Sequence, residues 1–75
     1  MNARQRKSLE GYVETLEKVK GKIEEMMEAE EEKQANMEEC GREDEVYDNI
    51  CEAVDALETS LDSLQDAIDS LEEIL

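Results

Sequence analysis

The chain has 75 residues, with 23 Asp and Glu against eight Lys and Arg, no His, and a formal net charge of −15. This length allows one domain with a small core, and the charge excludes direct binding of nucleic acid or of an anionic membrane surface. The lack of His excludes His-based catalysis, and no apolar run is long enough for a membrane span or a signal peptide. We therefore expect a cytoplasmic protein.

The first predicted helix covers about residues 3–39. Asn2 is placed to cap it, with Gln5 reaching back to complete a capping box. Its apolar residues follow a heptad repeat, abcdefg, in which positions a and d face a neighbouring helix. The a and d positions are occupied by Leu9, Tyr12, Leu16, Val19, Ile23 and Met26. Val13 and Met27 widen this stripe at e.

The second predicted helix covers about residues 44–75 and follows a short turn at about 40–44. Gly41 is expected to end the first helix, because a left-handed backbone costs Gly little, and Asp44 to cap the second. An unbroken heptad pattern occupies a and d with Tyr47, Ile50, Val54, Leu57, Leu61, Leu64, Ile68, Leu71 and Leu75. Because a short connection makes helices antiparallel, we predict an all-α, coiled-coil-like two-helix hairpin, folded back about position 42.

Self-association is expected from the small core of such a hairpin. Two helices bury few apolar side chains relative to the entropy of ordering the chain. Small residues at g, namely Ala53, Ser60 and Ala67, allow other helices to approach closely. The seam of a and d residues is therefore predicted to be both the core of the hairpin and the centre of a larger assembly. This assembly is a homodimeric four-helix bundle, a higher homo-oligomer, or a complex in which another protein supplies the missing helices.

Catalysis and cofactor binding are not expected. Cys40 and Cys51 are the only thiols, and in the hairpin Cys51 lies more than one turn beyond the level of Cys40, too far for a disulfide. Two Cys without His do not complete a zinc site, and the carboxylates lack the spacing of a calcium loop. We predict a non-enzymatic protein without a metal or cofactor.

The acidic residues are unevenly distributed. The net charge is +3 over residues 1–22, −6 over 23–42 and −12 over 43–75. The candidate partner-binding carboxylates lie at the turn and along the outer side of the second helix: Glu30, Glu31, Glu38, Glu39, Glu43, Asp44, Glu45, Asp48, Asp55, Asp62 and Asp69. Two interpretations remain open at this point. The acidity either maintains solubility or matches the surface of a basic partner protein.

Several short motifs carry a resemblance that extends over nearly the whole chain. They are Met1-Asn2, Arg6-Lys7, Leu9-Glu10, Glu30-Glu31-Glu32, Asn36-Met37 and the repeats of residues 52–75. The sequence resembles short hypothetical proteins encoded by phages and prophages of Gram-positive bacteria, although it lacks their proline after the Asn-Met pair. The resemblance implies a phage context and therefore the host cytoplasm. In that context we expect an inhibitor or nucleic-acid-mimicking decoy of a basic host protein, for example a defence nuclease, or alternatively a structural scaffolding subunit.

Overall fold

The fold is a hairpin of two helices, described over residues 1–75 by a computed structural model. Helix α1 runs from Ala3 to Glu39 and helix α2 from Glu45 to Glu72. The two helices pack against each other in a rod of 57 × 14 × 14 Å. The predicted all-α hairpin is confirmed. Helix α2 ends three residues before the predicted limit, because residues 73–75 form a tighter terminal turn.

Local features of the sequence set three of the four helix ends. Asn2 Oδ1 accepts a 2.8 Å hydrogen bond from the Gln5 backbone N–H, and Gln5 Oε1 accepts a 3.0 Å bond from the Asn2 backbone N–H. This capping box was predicted. Gly41 follows α1 with φ +72°, in the left-handed region that Gly tolerates. Asp44 Oδ1 accepts a 3.2 Å bond from the Tyr47 backbone N–H and starts α2.

The core is centred on the a positions of α2. Val54, Leu61 and Ile68 are buried, with Ile68 only 1% exposed. Tyr47 and the d residues of α2 are half-buried. The predicted seam of α2 is therefore confirmed from residue 47 to residue 71. Leu75 is 42% exposed, and its assignment to the seam is wrong because the helix ends before it.

The orientation of α1 about its own axis differs from the prediction. Leu9, Leu16 and Ile23 are half-buried as expected. The predicted d residues are exposed, to 65% at Tyr12, 43% at Val19 and 60% at Met26. Val13 is instead buried, at 6% exposure. The assignment of Tyr12, Val19 and Met26 to the core between the two helices is therefore wrong.

Polar contacts with α2 explain which row of α1 faces inward. The inward row contains residues 13, 20, 27 and 34, and the residues exposed instead are 12, 19, 26 and 33. The inward row gives Lys20 and Gln34 hydrogen-bonding partners on α2. The alternative would bury Lys33, which instead lies exposed with its ammonium 2.9 Å from Glu30. Burying an unpaired ammonium costs more than burying a hydrogen-bonded amide.

Three side-chain hydrogen bonds join α1 to α2. Lys20 Nζ donates to Gln65 Oε1 at 2.5 Å, Gln34 Nε2 donates to Cys51 Sγ at 3.2 Å, and Tyr47 Oη donates to Glu38 Oε1 at 2.5 Å. All three pairs are centred on the same point, between residues 42 and 43. The alignment of the two helices is therefore close to the predicted fold-back at position 42.

Candidate binding faces of the hairpin

The observed orientation of α1 divides the rod into two long faces. With residues 13, 20, 27 and 34 as its a positions, α1 has d positions at 9, 16, 23, 30 and 37. In an antiparallel pair, the e positions of both helices lie on one side of the interface and the g positions on the other. Positions b lie beside e, and positions c lie beside g. Residues of α1 and α2 can therefore be assigned to a common face.

The b and e positions form a surface that we call the carboxylate face. On α1 it contains Glu10, Glu14, Glu17, Glu24, Glu28, Glu31 and Glu38. On α2 it contains Asp48, Asp55, Glu58, Asp62, Asp69 and Glu72. Lys7 is the basic residue at these positions, and Lys20 reaches the edge of the face, with its ammonium 3.3 Å from Glu24. Carboxylates from both helices therefore line one side of the rod.

The predicted acidic surface is divided by the fold. Six of its members lie on the carboxylate face: Glu31, Glu38, Asp48, Asp55, Asp62 and Asp69. Glu30 is half-buried between the helices, Glu39 and Glu45 lie at outer f positions, and Glu43 and Asp44 belong to the turn. The prediction did not include Glu10, Glu17 and Glu24. Their seven-residue spacing with Glu31 and Glu38 was the signal in the sequence for this row.

Hydrogen bonds hold the turn end of the carboxylate face in place. The Tyr47 hydroxyl donates to Glu38, and this bond, followed by the neighbouring Cys51, raises the pKa of Tyr47 above its usual value of 10.0. Ionisation would place a phenolate against a carboxylate, so the neutral phenol is favoured. Cys51 also accepts the Gln34 amide bond. These contacts fix the position of Glu38 at the edge of the face.

Arg42, the basic residue of the turn, forms an ion pair with another residue of the turn. Arg42 Nη2 lies 2.9 Å from Asp44 Oδ2. This hydrogen bond, together with the backbone N–H of Tyr47, lowers the pKa of Asp44, and the same pairing raises the pKa of Arg42. Arg42 is the last basic residue in the chain. The other carboxylates of the turn and of α2 consequently have no Lys or Arg partner within ion-pair distance.

The c and g positions form the opposite surface, which we call the acid-free face. On α1 it contains Gln5, Ser8, Tyr12, Thr15, Val19, Lys22, Met26, Ala29, Lys33 and Asn36. On α2 it contains Val46, Asn49, Ala53, Ala56, Ser60, Ser63, Ala67 and Ser70. Neither helix places an Asp or Glu here, although the chain has 23 of them. Four large apolar side chains are exposed on this side of the rod, those of Tyr12, Val19, Met26 and Val46.

A shallow cavity opens on the N-terminal part of the acid-free face. Its volume is about 420 Å³, and it is lined by Met1, Arg4, Gln5, Ser8, Leu9 and Tyr12. No carboxylate borders it. The cavity therefore extends the acid-free face to the open end of the hairpin.

Both thiols are free, with Cys40 exposed and Cys51 half-buried. No group of three or more Cys, Asp or Glu side chains is arranged to hold a metal ion, and every buried side-chain nitrogen and oxygen atom has a hydrogen-bond partner. Neither helix is long and apolar enough to cross a membrane. Comparison of the chain with protein-family models, curated proteins and solved structures found no match.

Proposed function

We propose that this protein is a non-enzymatic binding module whose carboxylate face engages a basic partner protein. The observation that carries the proposal is the alignment of seven carboxylates of α1 and six of α2 on one side of an elongated rod. Acidity that served solubility alone has no need of such an arrangement, since charges distributed around the rod would serve equally well.

The spacing of the carboxylates supports a more specific form of the proposal. Thirteen carboxylates along 57 Å give one charge per about 4 Å of the rod. Duplex DNA carries one phosphate per about 1.7 Å of axis, and each of its strands one per about 3.4 Å. The face therefore approaches the charge density of one nucleic-acid strand. We propose that it occupies a basic, strand-binding groove as a decoy, which agrees with the inhibitor expected from the phage-like sequence.

Long-range attraction follows from the same charges. A net charge of −15 on 75 residues accelerates the encounter with a basic surface, and this acceleration weakens as salt screens the charges. The basic residues weaken this attraction only slightly near the turn, since six of the eight lie within residues 1–22 at the open end of the hairpin. The partner is therefore expected to contact the turn-proximal two thirds of the carboxylate face.

Two matched variants test whether the position of the carboxylates matters. In the first, Asp48, Asp55, Asp62 and Asp69 are replaced by Asn, which removes one row of the carboxylate face. In the second, four acids at outer f positions, Glu25, Glu32, Glu52 and Asp66, are replaced by the corresponding amides. Both variants have a net charge of −11, because each loses four of the 23 carboxylates and the wild type has a net charge of −15. They match in net charge and in the number of substitutions, and they neutralise different sides of the rod.

The measurement is inhibition of purified bacterial nucleases that bind single-stranded substrates, over a salt series. The proposal predicts inhibition that decreases with salt, is reduced about tenfold or more by the first variant, and is largely retained by the second. Equal effects of the two variants would show that only the total charge matters. No inhibition at low salt, or inhibition independent of salt, would eliminate the decoy mechanism.

The acid-free face supports a second candidate function, that of a structural subunit of a helical assembly. A scaffold would depend on this apolar surface and not on the carboxylate row. Neutralising Asp48, Asp55, Asp62 and Asp69 would then leave assembly unchanged or strengthen it by reducing repulsion. Sedimentation analysis of the two variants tests this function, and the nuclease assay tests the decoy, so each function has its own measurement.

A further inference from the structure

We infer that the acid-free face is the interface with a second copy of this chain, and that the two hairpins pack with their turns at the same end. This inference concerns the surface opposite the carboxylate face and does not depend on the proposed binding of a basic protein. It also moves the dimer contact away from the a and d seam, which the structure uses inside the hairpin.

Few apolar side chains are buried within one hairpin. A single hairpin buries only Val13, Val54, Leu61 and Ile68, which is little for a chain of 75 residues. At the same time Tyr12, Val19 and Met26 lie exposed on one side. If a second hairpin covers that side, these side chains become buried between the two hairpins, and the four helices form a bundle.

The net charge of the chain limits where two copies can meet. Two copies of a chain with a net charge of −15 repel each other over most of their surface. The acid-free face is the one long side where they meet without opposing carboxylates, and its charged residues are Lys22 and Lys33. The acid-free face therefore allows contact with a partner that is acidic on its other surfaces. A second copy of this chain is such a partner.

The side chains on the acid-free face differ in size between α1 and α2. The Lys20–Gln65 bond sets the level of the two helices, so that Val19 lies beside Ala67 and Met26 beside Ser60. A twofold axis parallel to the rod places α1 of one copy over α2 of the other at unchanged level. Val19 and Met26 of each copy then meet the small residues Ala67 and Ser60 of the other copy, and one symmetry operation completes both rows.

The alternative orientation, with turns at opposite ends, fits less well. It stacks α1 on α1 and α2 on α2, so that large residues oppose large ones and small residues oppose small ones. It also brings together the two segments 43–75, each with a net charge of −12. With the turns together, the basic segment 1–22 of each copy instead lies along the acidic C-terminal half of the other copy's α2, which is attractive.

The test adds one carboxylate to either face. Ala67→Glu places it on the acid-free face, and Ala35→Glu places it at a b position of the carboxylate face. Both alanines are helical and exposed, so the two variants match in chemistry, charge and expected fold, which circular dichroism verifies. Ser60→Glu repeats the test on the acid-free face.

Analytical ultracentrifugation measures the outcome. The wild type and Ala35→Glu are expected to sediment at twice the chain mass of 8.6 kDa. Ala67→Glu and Ser60→Glu are expected to raise the dimer dissociation constant about tenfold or more, because each buries like charge in the interface. A wild type that stays monomeric at millimolar concentration, or a dimer weakened only by Ala35→Glu, overturns the inference. Monomers that bind phosphatidylcholine vesicles through Tyr12 and Val19 would assign the face to lipid instead.

The orientation is tested with a nitroxide spin label on the exposed Cys40, in a Cys51→Ser background. Because neighbouring helices in a bundle lie about 8–10 Å apart, turns at the same end place the two labels within about 30 Å. Turns at opposite ends place them near the full rod length of 57 Å. The short distance supports the inferred packing, and the long distance overturns it.

Discussion

Replacing Val13 and Val19 separately by Ala tests the orientation of α1 with two identical chemical changes. Both residues are valines within the same helix, but Val13 is 6% exposed and Val19 is 43% exposed. A regular a and d seam read from the sequence places Val19 in the core and Val13 beside it. The structure places Val13 in the core, so the two interpretations predict opposite orders of destabilisation.

The magnitude follows from burial. Removing two methyl groups forfeits about 1.6 kcal/mol of transfer free energy. Val13 is 6% exposed and Val19 is 43% exposed, so scaling by the buried fraction gives a loss of about 1.5 kcal/mol for Val13 and about 0.9 kcal/mol for Val19. Each variant regains about 0.5 kcal/mol of helix propensity, and only the enclosed Val13 adds a cavity cost of about 0.5–1 kcal/mol. The net losses are therefore about 1.5–2 and about 0.4 kcal/mol.

The assay is urea unfolding followed by circular dichroism at 222 nm, at a protein concentration low enough for monomers to dominate. The free energy of unfolding should fall by about 1 kcal/mol more for Val13→Ala than for Val19→Ala. Equal losses, or a larger loss for Val19→Ala, would refute the observed orientation of α1. At high protein concentration, Val19→Ala should lower the free energy of unfolding by more than it does at low concentration. The reason is that a dimer formed through the acid-free face would bury Val19.

Three further predictions concern the backbone and the titratable groups. Gly21→Ala should stabilise the protein by about 0.5–1 kcal/mol, since the added Cβ meets no atom within 4 Å. Gly41→Ala should destabilise it by about 1–2 kcal/mol, because φ at this position is +72°. Thermal melts of both variants check that the two effects on stability have opposite signs. The raised pKa of Tyr47 stabilises the fold below the unfolded-state pKa near 10, so the free energy of unfolding should decrease as the pH rises above 10. A Tyr47→Phe variant that kept the full decrease would contradict this. The lowered pKa of Asp44 contributes stability above about pH 4 that is lost as the pH falls below it, and Asp44→Asn, which keeps a cap acceptor, should lose less stability in acid than the wild type does.

The sequence alone determined the hairpin and the inner side of α2. The a and d pattern of α2 from Tyr47 to Leu71 has no competing apolar row, so the side that it buries follows from its periodicity. The end signals are equally local, because Asn2 and Asp44 bond backbone groups three residues away and Gly41 adopts a conformation that other residues avoid. A few residues are enough to specify such features.

Only the tertiary structure decided which side of α1 faces inward, and with it the composition of the two outer faces. Leu9, Leu16 and Ile23 are flanked by apolar residues on both sides, so two orientations satisfy the helical period of α1. The choice depends on partners in α2, including Gln65 for Lys20, which lie far away in sequence. The sequence shows 23 carboxylates and their heptad spacing, but their collection on one side and their absence from the other emerge only when the two helices are aligned.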